Sequence, residues 1–160
     1  MIAVADTSPI NYLVLIDKAE LLARLYTSVI LPGAVLKELR SPRTPALVRR
    51  WISRRASWLQ VRLLQNELDP TLAYLGAGER ETIALAHELN ANEVLLDEAA
   101  ARREAQRRNL RFIGTLGLLR RASQLGWIDL AACLRSLGQT TFRARPDLIA
   151  SLLAEDAALK

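Results

Sequence analysis

The chain is poor in the residues that form disulfides and nitrogen- or sulfur-based metal sites. Its 160 residues include one cysteine, Cys133, and one histidine, His87. A single cysteine excludes an intrachain disulfide and a zinc site made of several thiolates, and a single histidine excludes a site made of several imidazoles. Proteins without disulfides are typical of reducing compartments, so we expect a cytoplasmic location.

Long apolar runs are missing as well. Hydrophobic residues make up 51% of the chain, but no run of them reaches the roughly 18 residues that a membrane-spanning helix needs. The N-terminal stretch is apolar, yet it starts without a basic segment and is interrupted by Asp6, Pro9 and Asn11, which is untypical of a signal peptide. We therefore expect a soluble protein with one compact domain, since 160 residues suffice for only one of ordinary size.

Phosphate-binding loops of the nucleotide-hydrolase kind are also absent. The segment Gly76-Ala77-Gly78 is too short and has no following lysine, and the chain contains no GxGxxG motif. A catalytic His87 is disfavoured because it follows the apolar stripe of a predicted helix. Cys133 lies in an apolar helical segment without a nearby histidine, which favours a buried residue over a nucleophile.

Positive charge is in excess. The chain has 22 Lys and Arg against 17 Asp and Glu, a formal net charge of +5, and 19 of the 22 cations are arginine. Arginine matches the geometry of phosphate groups, so this excess favours a nucleic-acid partner. Arg102, Arg103 and Arg107 share a predicted helix and are candidate contacts to an RNA backbone. The alternative is a solvated helix face paired with Glu98 and Glu104.

Short apolar strands alternate with helical patterns along most of the chain. Strands are predicted at 2–5, 28–31, 59–63, 94–96 and 111–113, with helices between and after them. Ser8 is the predicted N-cap of the first helix, and Pro9 its first residue. This alternation predicts an α/β fold with a parallel sheet and helices on both faces. Residues 1–126 form the predicted core, and 127–160 form a helical C-terminal extension of the same domain.

Two carboxylates come directly after predicted strands. Asp6 comes after the first strand and Asp97 after the strand at 94–96. Because parallel strands end at the same edge of a sheet, which is where ligands bind, the two acids could share a metal ion. Each acid alone is better explained as the cap of the next helix. The pair is harder to explain in this way, since two neighbouring carboxylates repel one another unless a cation lies between them.

Five segments in order resemble the PIN-domain family, in particular the VapC-like toxin ribonucleases of toxin–antitoxin pairs. They are DTSPI at 6–10, VLKEL at 35–39, LGAGERETIALA at 75–86, LLDEAAARREA at 95–105 and GTLGLL at 114–119. The resemblance covers residues 1 to about 126. It implies a three-layer α/β/α fold with a central parallel sheet of four to five strands, and an endoribonuclease that hydrolyses RNA phosphodiester bonds.

By this resemblance an acidic quartet holds Mg²⁺ or Mn²⁺, and carboxylates are ligands that suit such hard divalent cations. Its members are Asp6, Glu38, Glu79 and Asp97, with Thr7 or Ser8 as the polar neighbour of the first acid and Glu98 as the alternative fourth acid. In many family members the third acid is an aspartate, where this chain has the longer Glu79. A site of this kind can activate water and stabilise charge on a phosphodiester.

The resemblance also implies partners. We expect an RNA substrate, an antitoxin protein and a homodimer, because relatives usually pair and because the extension has apolar stripes at Leu130, Leu134, Leu137 and at Leu148, Ile149, Leu152. Two other functions stay open. One is a haloacid-dehalogenase-like Mg²⁺-dependent phosphatase, although Ser8 stands where that chemistry needs a second Asp. The other is a PIN-like module that binds RNA or protein without cleaving.

Overall fold

Strands and helices alternate as predicted in the computed structural model, which describes residues 1–160. The strands are β1 (Ile2–Ala5), β2 (Ser28–Pro32), β3 (Leu59–Arg62), β4 (Glu93–Leu95) and β5 (Phe112–Ile113). The helices are α1 (Thr7–Leu15), α2 (Glu20–Leu25), α3 (Gly33–Leu39), α4 (Ala46–Ser53), α5 (Ala77–Glu88), α6 (Ala99–Arg107), α7 (Thr115–Gln124), α8 (Leu130–Gly138) and α9 (Pro146–Ala158). A 3₁₀ turn at Pro70–Leu72 was not predicted. None of the helices combines the length and apolar character that crossing a membrane requires.

All five strands are parallel, in the order β3-β2-β1-β4-β5. The chain therefore reaches each strand through a helical crossover, and all strands end at the same edge, here called the carboxyl edge. β1 lies in the centre, paired with β2 on one side and β4 on the other. The residues just after β1 and just after β4 are consequently brought together at this edge, although about 90 residues of chain separate the two strands.

The sheet separates two apolar cores. Alternate residues of β1 point to opposite faces, with Ala3 and Ala5 in the larger core and Val4 in the smaller one. The larger core includes buried residues of α1, α3, α4, α7 and α8, and the smaller one includes residues of α5 and α6. Helices thus cover both faces, and the predicted three-layer α/β/α fold with a central parallel sheet is confirmed.

Two predicted boundaries beside the acids were wrong. The first helix begins at Thr7, with Asp6 in the N-cap position in an extended conformation, so Ser8 is not the cap and Pro9 is the third helical residue. Strand β4 ends at Leu95, and Asp97 therefore follows it by two residues instead of directly. The first error arose because Ser before Pro is a strong helix-start pattern, and Asp6 supplies the extended N-cap conformation two residues earlier.

The helical extension packs against the rest of the chain. Four of the six residues in its predicted apolar stripes are buried: Leu130, Leu134, Leu137 and Leu152. Ile149 is partly buried and packs against the larger core. Leu148 is 46% exposed. Apart from Leu148, these residues are covered within one chain, so the stripes do not by themselves argue for a dimer. The homodimer stays a prediction that rests on the family resemblance.

Candidate metal site and adjoining grooves

Asp6 is the centre of the candidate site. It follows β1 at the carboxyl edge, and its N–H donates to Leu95 O of β4 at 3.0 Å. Asp6 is only 5% exposed. The pKa of its carboxyl group is raised to about 7, mainly by burial and also by the charges of Glu79, Glu38 and Asp97, while a hydrogen bond from the Thr7 backbone acts in the opposite direction. The other three predicted acids are therefore close enough to act electrostatically on Asp6.

Glu38 shares a small space with Asp6. It comes from α3, and the Thr7 hydroxyl donates to its Oε2 at 2.9 Å. Gly78 borders both acids: a Cβ atom there would lie 2.8 Å from Asp6 Oδ1 and 3.1 Å from Glu38 Oε2. Any side chain at position 78 would fill this space, so glycine keeps it open between the two carboxylates.

The other two predicted acids already have protein partners. Glu79 bends back within the first turn of α5 and accepts the Gly76 N–H at Oε2, 2.7 Å away. Asp97 accepts two hydrogen bonds from Thr115 at the start of α7, from its N–H to Oδ1 and from its hydroxyl to Oδ2, each 2.7 Å long. Asp97 therefore caps a helix, as the alternative interpretation predicted, but α7 instead of the adjacent α6.

The residues fit a magnesium ion held by few protein ligands. No three His, Cys, Asp or Glu side chains are arranged to hold a metal ion together, and the four acids stay a prediction as a ligand set. Mg²⁺, however, usually keeps several waters and binds through one or two carboxylates plus substrate phosphates. The space that Gly78 leaves between Asp6 and Glu38 offers such a pair of hard oxygen ligands.

Two grooves adjoin the acids. The larger, about 1530 Å³, runs along α3 and the following loop and includes Glu38 with the cations Lys37, Arg40 and Arg43. The smaller, about 640 Å³, includes Asp97 and Glu98 together with Arg102, Arg120, Arg143 and Arg145. Ser8 and Thr141 line both grooves, so the two grooves are neighbours. Basic side chains thus lie on either side of an acidic centre.

The three arginines predicted to bind RNA have different surroundings. Arg102 lies in the smaller groove beside Asp97. Arg107 instead forms a salt bridge with Glu104 at 2.7 Å and donates to the Tyr74 hydroxyl, and it lines neither groove. Arg103 is exposed and also outside both grooves. Of the three, Arg102 is therefore the one that the fold brings to the candidate site.

Sequence reasoning missed several residues that shape the site. Thr115 was part of a quoted motif, but its hydrogen bonds to Asp97 depend on the pairing of β4 with β5, which brings the start of α7 close. Glu81 of α5 accepts the Ala34 N–H at the start of α3 at 3.0 Å. Because Glu81 lies only two residues after Glu79, near the start of α5, the sequence could have marked it as a further candidate for the site. Thr141 gave no sequence signal, since it lies in the loop between α8 and α9.

Comparison with known proteins gives the family and the fold. The profile of the family DUF3368, described as a PIN domain, matches residues 2–157. No curated protein matches the chain. Among solved structures, the chain is similar to a PilT N-terminus domain protein, SSO1118, from the hyperthermophilic archaeon Sulfolobus solfataricus P2. The two are 16% identical with a TM-score of 0.52, and the match covers 91% of this chain and all of the other, which shows a shared fold.

Proposed function

Because this chain belongs to the PIN-domain family, whose members are commonly metal-dependent nucleases, we propose that it is a metal-dependent endoribonuclease. Its substrate is RNA, and its acids are Asp6, Glu38, Glu79 and Asp97. One observation carries the proposal: Asp6 is buried among acids and has no cationic partner. A buried charge without a partner is costly, and a divalent cation between Asp6 and Glu38 would remove that cost.

The chain's own residues prepare the site for such a cation. When bound, Mg²⁺ or Mn²⁺ would polarise a water for attack and neutralise charge that develops on the phosphodiester. Asp6 and Glu38 would hold the ion, and Thr7 orients Glu38 by its hydrogen bond. Thr115 orients Asp97 in the same way. Because each carboxylate oxygen has two acceptor positions, Asp97 can still accept from water after binding Thr115.

The grooves support an RNA substrate that is cut within its chain. They carry basic side chains on both sides of the acids, so a strand of phosphates can continue in each direction from the cleaved bond. Contacts of this kind supply most of the affinity that does not depend on sequence. This arrangement favours an endonuclease over a phosphatase, which needs to enclose a single phosphate group. The toxin role and the antitoxin partner stay predictions from the resemblance.

The test compares two substrates and three proteins. Purified wild type, Asp6→Asn and the control Asp17→Asn are incubated with end-labelled single-stranded RNA or with a small phosphate ester, in Mg²⁺ or in EDTA. Asp17 is exposed and has a φ of 58°, a conformation that Asn adopts readily. We expect Mg²⁺-dependent internal cleavage of RNA by wild type and Asp17→Asn only.

Other outcomes are equally clear. Hydrolysis of the ester but not of RNA would support the phosphatase alternative. RNA binding without cleavage in Mg²⁺ or Mn²⁺ would support the non-catalytic module. Equal cleavage by wild type and Asp6→Asn would exclude Asp6 from the chemistry and overturn the proposal.

A further inference from the structure

Arg102 is held in place by contacts that leave its charged end free. Its Nε–H donates to Leu96 O at 3.0 Å, and its guanidinium lies over the ring of Phe112, 5.4 Å from the centroid. Its two terminal amino groups have no hydrogen-bond acceptor in the protein. A fixed guanidinium with free N–H groups is suited to bind a phosphate with two hydrogen bonds.

Gly114 keeps this guanidinium next to the proposed active site. A Cβ atom at position 114 would lie 2.7 Å from an Arg102 terminal nitrogen and equally 2.7 Å from Asp97 Oδ1. Arg102 and Asp97 are therefore neighbours, yet they form no salt bridge. Instead Asp97 accepts from Thr115. The cation is consequently available to a ligand that reaches the acids through the smaller groove.

The lining of this groove carries a second available cation. Four arginines line the groove, and two of them are paired with carboxylates: Arg120 with Glu155 at 3.1 Å and Arg145 with Asp147 at 3.0 Å. Arg143 forms no such pair and donates only to the carbonyls of Thr140 and Phe142.

Arg143 belongs to the loop between α8 and α9. The ring of Phe142 packs edge-on against Tyr12 of α1, and the Tyr12 hydroxyl is 3.0 Å from Thr141 Oγ1. The loop is thereby attached to α1 beside the groove.

From these contacts we propose that the smaller groove binds the backbone of single-stranded RNA next to the cleaved bond, with Arg102 and Arg143 as its two phosphate-binding cations. The inference rests on the proposed function and assigns a role to the C-terminal extension, which supplies one wall of the substrate site. A volume of about 640 Å³ is in the range of roughly 300–1,000 Å³ that accommodates small-molecule ligands. The groove therefore suits a short piece of one strand better than a duplex.

The experiment measures binding separately from cleavage. A fluorescent single-stranded RNA is titrated in EDTA, at several salt concentrations, with wild type, Arg102→Ala, Arg143→Ala and the control Arg135→Ala. Arg135 is an exposed arginine of α8 that lines neither groove. We expect affinity to fall about tenfold for Arg102→Ala and about threefold for Arg143→Ala, with no change for Arg135→Ala.

The salt dependence distinguishes a phosphate contact from a disturbed fold. Each lost contact to a single strand should reduce the slope of log K against log salt by about 0.7. Arg102→Lys retains the charge but not the fixed fork, so it should keep the slope and recover only part of the affinity. A weaker affinity with an unchanged slope in Arg102→Ala and Arg143→Ala would indicate a structural effect and overturn the inference.

Equal affinity of all variants would also overturn it, and would leave the groove to another ligand, such as an acidic protein segment. Because no metal is present in this assay, the result does not depend on whether the protein cleaves RNA. Absence of cleavage together with the expected binding losses would reject the proposed nuclease and retain the RNA-binding groove.

Discussion

Two carboxylates are buried at opposite edges of the same sheet, and their surroundings differ. Glu93 begins β4 and is 4% exposed, and Asp6 follows β1 and is 5% exposed. Glu93 binds Arg121 through two hydrogen bonds of 2.8 and 3.2 Å and also accepts from the Tyr26 hydroxyl. Asp6 has no cation beside it, and its charged neighbours are further acids.

This difference separates a structural acid from a candidate functional one. A buried charge that is paired and hydrogen-bonded stabilises its surroundings or is at least neutral, whereas one among like charges opposes folding. Proteins retain such unfavourable groups where a ligand compensates for them or where chemistry needs them. The comparison therefore assigns the candidate function to the carboxyl edge of the sheet and structural stability to its amino edge.

Cleavage should show the largest contrast between the two acids. We expect Asp6→Asn and Asp97→Asn each to lower Mg²⁺-dependent RNA cleavage by about 100-fold or more, the scale of losing a charge-stabilising group in an active site. Glu93→Gln should cleave at the wild-type rate per folded molecule. The measurement is a single-turnover time course at a temperature where circular dichroism shows all three variants folded. A loss of similar size in Glu93→Gln would remove the distinction between the edges.

Stability should show the opposite order. Glu93→Gln leaves Arg121, 31% exposed, without a full countercharge, and we expect unfolding to become easier by about 2–3 kcal/mol, below the cost of breaking a fully buried pair. Urea denaturation of wild type and Glu93→Gln at pH 7 measures this difference. Glu20→Gln on the exposed surface of α2 serves as the control and should lie within about 0.5 kcal/mol of wild type. A Glu93→Gln variant as stable as wild type would show that the pair contributes nothing.

The pH dependence of stability gives Asp6 a signature of its own. Its pKa is about 7 in the folded protein against an ordinary value of 3.8, so between about pH 4 and 7 the folded state holds a proton that the unfolded state has lost. This tighter proton binding by the folded state stabilises it. The resulting stability is fully present below about pH 4 and decreases as the pH rises to about 7. In EDTA, wild type should therefore lose about 2–4 kcal/mol relative to Asp6→Asn between about pH 4 and 7.5.

Added Mg²⁺ is the control for that experiment. The ion binds the deprotonated carboxylate, so at about pH 7.5 it should raise the melting temperature of wild type more than that of Asp6→Asn. Parallel pH profiles for the two proteins in EDTA, or equal Mg²⁺ shifts, would contradict the assignment of Asp6 as a metal ligand.

Much of this comparison could be predicted from the sequence, but not its details. Alternating strands and helices predict the parallel sheet, and the sheet brings Asp6 and Asp97 to one edge. The pattern could not predict that Thr115 would donate to both oxygens of Asp97, or that Gly78 would leave a space between Asp6 and Glu38, because these contacts depend on how helices pack across the sheet. The pairing of Glu93 with Arg121 was missed for the same reason.

The smallest effect should come from a third carboxylate, Glu81, which lies at the carboxyl edge but has a hydrogen-bond partner, as Glu93 does. Glu81 accepts the Ala34 N–H at the start of α3, the helix that carries Glu38, and so it connects the position of Glu38 to α5. Glu81→Ala should cost about 1 kcal/mol of stability, as for a lost helix cap, and lower cleavage only severalfold. Glu81→Gln retains an acceptor oxygen and should restore both.

The cleavage loss in Glu81→Ala should appear as a higher Mg²⁺ concentration needed for the half-maximal rate, because a displaced Glu38 binds the ion less well. The maximal rate at saturating Mg²⁺ should stay near that of wild type. A structural role alone would not shift the Mg²⁺ titration. If Glu81→Gln were as defective as Asp6→Asn, the charge of Glu81 would itself be needed. The distinction between Asp6 as a functional acid and Glu81 as a positioning acid would then fail at the carboxyl edge.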